Sequence, residues 1–164
     1  MLSAHDIGTV FLIGVGATVV MDAWLVLLGR LGVPTTNWGL VGRWVGHMPR
    51  GQFAHAPIAK APAVRGELAL GWMTHYVIGI AYAAGLIAWV GAEWAEQPTF
   101  VPALAFGLLT VVAPLFVMQP AMGSGFLALK TPAPLRNCLR SIANHSVFGA
   151  GMYFAAVAIA QFPR

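Results

Sequence analysis

The chain alternates long apolar stretches with shorter polar connections. Continuous apolar runs cover about residues 7–29, 69–91, 100–122 and 141–162, each near the ~20 residues that carry a helix across about 30 Å of hydrocarbon. A helix satisfies its backbone groups within its own segment, so the pattern predicts an all-α membrane protein with four transmembrane helices. Spans and loops use nearly the whole length, which predicts a single four-span membrane domain over 1–164. The first run has no basic n-region, is too long for a signal-peptide core and contains Asp22. It is therefore expected to be a retained span, with the mature chain beginning near Met1.

Each run carries one strongly polar side chain: Asp22, His75, Gln119 and His145. Such groups are expensive in hydrocarbon and mark either a functional site or a helix-to-helix contact. At 1.5 Å per residue, Asp22 lies about 10 Å and His75 about 9 Å from the same membrane face, which predicts one polar layer. Gly14, Thr18 and Asp22 share a helix face, as do Gly71, His75, Gly79 and Ala83, and Ser141, His145, Gly149 and Tyr153. Small residues one turn away permit close helix approach, so these faces are expected to point inward and bring Asp22, His75 and His145 together.

Short internal matches predict two related helical hairpins. Val20-Met21-Asp22-Ala23 resembles Val117-Met118-Gln119-Pro120-Ala121, and Thr74-His75-Tyr76-Val77-Ile78-Gly79 resembles Asn144-His145-Ser146-Val147-Phe148-Gly149. In that alignment Asp22 corresponds to Gln119 and His75 to His145, within repeats of one orientation. Pro114 and Pro120 remove backbone donors from the third span and predict a kink there. Gly123-Ser124-Gly125 then leads into Phe126-Leu127-Ala128-Leu129, which either extends the helix or lies along the membrane interface.

In the first loop, Thr35-Thr36-Asn37 offers a cap for an interfacial helix over about 37–48. Leu40, Val41, Trp44, Val45 and Met48 would share one face, with Arg43 and His47 elsewhere, so that the helix rests in the headgroup layer. His47 and His55 are separated by a proline and a glycine, which is not helical metal-ligand spacing, and they read as ordinary interfacial residues.

Charge adds orientation. Arg30, Arg43, Arg50, Lys60 and Arg65 lie between spans one and two, and Lys130, Arg136 and Arg140 between spans three and four. Only Arg164 falls on the other side, where Glu93 and Glu96 also lie. The positive-inside rule places loop 30–68 in the cytoplasm and both termini outside. The net charge of +4 then reflects topology and attraction to membrane lipids, not nucleic-acid binding. Charged residues are only 9% against 59% hydrophobic, too few to cover a soluble domain of this size. Cys138 is the one cysteine, which excludes a disulfide or a Cys-based zinc site within one copy. The tryptophans fall mostly near predicted membrane ends and read as an aromatic belt. Ala81 with Gly85, and Gly151 with Ala155, leave small-residue faces that predict a homo-oligomer.

Several motifs together carry a family resemblance. They are Trp38-Gly39-Leu40-Val41-Gly42-Arg43-Trp44, Gly71-Trp72 with His75-Tyr76 and Gly79, Met118-Gln119-Pro120-Ala121-Met122-Gly123-Ser124-Gly125, Thr131-Pro132, and His145 with Phe148-Gly149. The chain resembles the bacterial integral membrane family catalogued as domain of unknown function 2938. The resemblance covers nearly the whole chain and implies a four-span protein of the bacterial cytoplasmic (inner) membrane. It brings no activity with it.

Three classes of role follow from the residues. An acid, two imidazoles and a proline-broken helix at one depth are the parts of a proton or small-ion pathway, which suits a small transporter-like or channel-like protein. Alternatively, His75 and His145 ligate a non-covalent haem, or join Asp22, Met118 or Met122 around copper. The bland reading is a structural or assembly subunit in which Asp22 and a histidine fix helix register. No phosphate loop, dinucleotide motif, serine elbow or acidic metal cluster points to an enzyme.

Overall fold

A computed structural model of the protein describes residues 4–161. The expectations that fall on Met1, Phe162 and Arg164 lie outside the described residues. In chain order the helices are α1 (Ala4–Arg30), α2 (Trp38–His47), α3 (Glu67–Val90), α4 (Phe100–Thr110), α5 (Gln119–Ala121) and α6 (Pro134–Ala160). Short 3-10 turns punctuate the connections, and no strand occurs among the described residues.

Four segments are long and apolar enough to cross a membrane: Asp6–Arg30, Glu67–Val90, Phe100–Ala121 and Pro134–Ala160. Large apolar side chains such as Ile7, Met73, Val101 and Phe154 point outward on them. Water would penalise so much exposed apolar area, whereas lipid tails do not. The pattern is that of a multi-pass membrane protein. The fourth helix begins at Pro134, earlier than expected, because its first turns carry Arg136, Asn137 and Arg140 and hydropathy detects only the apolar remainder.

The chain forms two compact units. The first takes the N-terminal segment up to Pro34, Tyr76–Thr110, and the chain from Asn144 onward. The second takes Thr35–His75 and Val111–Ala143, so α3 and α6 each contribute to both.

Glycines set the helix contacts of the first unit. A side chain at Gly14 would meet the Ile80 Cα at 2.5 Å, and one at Gly79 would strike the Thr18 hydroxyl, so α1 and α3 touch backbone to backbone. Gly107 and Gly149 bring α4 onto α6, Gly151 and Gly16 bring α6 onto Ala17 and α1, and Gly85 receives the Phe106 ring from α4. The inward faces read from the sequence are observed here: Thr18, Ala83 and Gly149 are buried. Gly85, Gly151 and Ala155 all make contacts within the chain.

In the second unit Asn37 caps α2, its side chain accepting from the Leu40 amide at 3.2 Å. The helix matches its predicted limits, but its buried residues are Val41, Gly42 and His47. Packing of α2 on α3, rather than the apolar stripe alone, selects that face: a Cβ at Gly42 would run into the Glu67 carbonyl, and one at Gly71 into the Trp38 carbonyl.

The predicted break in the third span is present as a widened π-turn over Pro114–Met118, in which the Gln119 amide reaches back to the Pro114 carbonyl. Pro114 and Pro120 lack the donors for regular helical bonds, which is a recognised cause of such bulges. The helix end is closed by the first loop. His55 N–H donates to the Ala121 carbonyl at 2.7 Å and Ile58 N–H to the Met122 carbonyl at 3.0 Å. Gly123, at φ +95°, allows this approach, since a Cβ there would lie 2.7 Å from the His55 carbonyl oxygen. Phe126–Ala128 neither extends the helix nor forms an extended interfacial helix; it is one tight turn with Leu127 and Ala128 in the left-handed region.

Candidate intramembrane polar site

Within the first unit, α1 and α3 bring an acid and a phenol together. Asp22 is half-buried, and the Tyr76 hydroxyl donates to its Oδ2 at 2.8 Å. The carboxylate of α1 is thus held by a hydroxyl of α3. On the same helix, Trp24 Nε1 donates to the Asn144 side-chain oxygen at 3.0 Å, tying α1 to α6 beside His145.

His145 is held by α4. Thr110 Oγ1 donates to the Gly107 carbonyl at 2.6 Å and also lies 2.8 Å from His145 Nδ1. A hydroxyl has one proton, and a carbonyl only accepts. The Thr110 proton therefore goes to Gly107, and His145 Nδ1–H donates to Thr110, which fixes the neutral tautomer with its lone pair on Nε2. Tyr82 approaches the imidazole edge-on, with ring centres 6.4 Å apart.

The other two predicted residues belong to the second unit. His75 is buried and stacked on the Trp38 indole, 4.0 Å between ring centres at 25°, with Trp72 nearby. Gln119 donates to Ser141 Oγ at 3.3 Å, while its buried Oε1 has no hydrogen-bond partner. The structure thus places Asp22 and His145 in one unit, and His75 and Gln119 in the other. Among the described residues no three His, Cys, Asp or Glu side chains gather into a metal-binding group.

Sequence reading missed Tyr76, which bonds Asp22, and Thr110, which bonds His145. Both were within reach: Tyr76 follows His75, and Thr110 closes α4 one turn after the contact glycine Gly107. Of the tryptophans, Trp89 is exposed, while Trp24, Trp38 and Trp94 have partners inside the protein, Trp94 Nε1 bonding to Thr99.

The second unit also contains an ion pair. Arg43 Nη2 and Nε each bond a Glu67 carboxylate oxygen at 2.8 Å, and Nη1 reaches the Ala59 and Ala61 carbonyls at 3.3 and 3.2 Å. The Glu67 hydrogen bond holds the Arg43 guanidinium above its already high ordinary pKa. Bidentate geometry makes this pair directional, and it latches the loop around Ala59 to α2. Arg43→Leu is expected to free that loop without melting the spans. Trypsin should then cut at Lys60 and Arg65 several-fold faster in detergent; an unchanged rate would mean that the latch carries no strain.

The profile of a family described as "Protein of unknown function (DUF2938)" matches residues 11–159. The chain belongs to this family. Comparison with curated proteins and with solved structures found no match to either. Family membership supplies no reaction, so the role has to be argued from the side chains.

Proposed function

We propose that the protein is a small transporter-like or channel-like membrane protein in which Asp22, Tyr76, Thr110 and His145 relay protons or a small ion. The observation that carries this reading is the Asp22–Tyr76 hydrogen bond: a carboxylate inside an apolar span, held by a group that itself carries a movable proton. Intramembrane carboxylates and imidazoles are the usual members of proton relays. The π-turn in the third span supports it, because irregular backbone is tolerated at membrane depth where it is covered by protein or lines a hydrated path.

Matching contacts support a repeat of two hairpins. Gly79 against Gly14 and Thr18 parallels Gly149 against Leu104 and Gly107, and Gly85 against Phe106 parallels Ala155 against Gly16. The spacing from Gly79 to Gly85 equals that from Gly149 to Ala155. Parallel repeats about an axis along the membrane normal are a common plan of small transporters. In this register Asp22 falls opposite the neighbourhood of Thr110, and Gln119 lies about two helical turns further on. The basic loops orient both termini away from the cytoplasm in a bacterial inner membrane.

Proton flux in proteoliposomes tests the reading. Tyr76→Phe removes the donor to Asp22 and should slow flux about tenfold, the effect of losing roughly one hydrogen bond in the rate-limiting state. Wild-type liposomes no leakier than empty ones under an imposed pH gradient or potential would refute it.

A further inference from the structure

Two imidazoles outside the proposed relay are brought together by the first loop. His47 ends α2 and is only 2% exposed; its Nε2 lies 3.0 Å from the Pro62 carbonyl. A carbonyl cannot donate, so Nε2 carries the proton and Nδ1 presents a lone pair in the neutral ring. That Nδ1 is buried with no hydrogen-bond partner. The His55 ring centre lies 5.2 Å away at 60°, and its Nε2 is likewise buried and unpartnered.

Buried polar atoms are nearly always paired, so two unpaired ring nitrogens on adjacent imidazoles call for a shared occupant. We propose that His47 Nδ1 and His55 Nε2 form a two-histidine site for a borderline divalent transition-metal ion, of which zinc is the simplest probe. Two imidazoles bound at about 2.0–2.1 Å and a tetrahedral angle place their ring centres about 5 Å apart, close to the spacing observed. His47 has the orientation expected of a metal ligand, because ligating histidines usually donate their other ring N–H to a carbonyl or carboxylate. Pro62 provides that carbonyl.

The backbone holds both rings in place. His55 N–H is bound by the Ala121 carbonyl, and its own carbonyl packs on Gly123. Glu67, close enough to His47 to interact with it electrostatically, is paired with Arg43. Since among the described residues no third His, Cys, Asp or Glu joins these two rings, the ion keeps positions open to water or to further ligands, which suits exchangeable binding.

The test is zinc titration of the full chain in mild detergent, monitored by calorimetry and by thermal melting. Wild type should bind one zinc per chain and melt at a higher temperature with metal. His55→Gln leaves the Pro62 anchor of His47 intact, so its metal-free melting should match wild type while zinc affinity falls about tenfold or more. Absence of saturable binding, which would be the result if a water bridges the rings, overturns the proposal. So does a His55→Gln protein that binds zinc as wild type does.

Discussion

Gly42→Ala is expected to detach α2 from α3. A single methyl at Gly42 would run into the Glu67 carbonyl and lie 2.6 Å from the Gly71 amide nitrogen, both backbone atoms that no rotamer change can move. Gly71 is bounded in the same way by the Trp38 carbonyl, so neither helix can yield toward the other. Relief requires the whole of α2 to shift. That shift would open the Trp38–His75 stack and stretch the Arg43–Glu67 pair. Overpacking a tight contact costs typically 1–3 kcal/mol, and a clash with backbone belongs at the upper end, about 3 kcal/mol. The check is a lower melting temperature in detergent, with proteolysis of the segment between α2 and α3 at temperatures where wild type resists. Wild-type melting and protection would show that the two helices are not in backbone contact.

The sequence made the spans legible and left their packing obscure. Composition and run length placed four membrane-crossing segments to within a few residues, except at α6, whose polar first turns fall below any hydropathy threshold. The Asn37 cap and the proline break were readable because each depends on one residue's own chemistry. Hydrogen-bond partners were not, since they depend on helix register across a contact. Tyr76, the residue after His75, donates to Asp22, a contact that depends on the register of α1 against α3. His47 and His55 looked too far apart in sequence to cooperate, and the turns between them, invisible to periodicity, bring their rings into contact.

Asp22→Asn has the largest expected effect on activity. Asparagine keeps the shape of aspartate and an oxygen that accepts from Tyr76, so the α1–α3 contact should survive with a stability loss of about 1 kcal/mol, the difference between a charged and a neutral hydrogen bond. What disappears is a group that can take up and release a proton. Removing a proton-transfer group typically costs 10²–10⁴-fold in rate, so flux should fall about 100-fold or more. A purely structural Asp22 predicts the reverse pattern, since the isosteric amide would leave any flux almost untouched. The decisive measurement is therefore proton flux into proteoliposomes containing wild type or Asp22→Asn at matched protein density. The account predicts flux above that of empty liposomes for wild type, and none for a variant that still melts cooperatively. Equal flux in the two, or none in either, would contradict it.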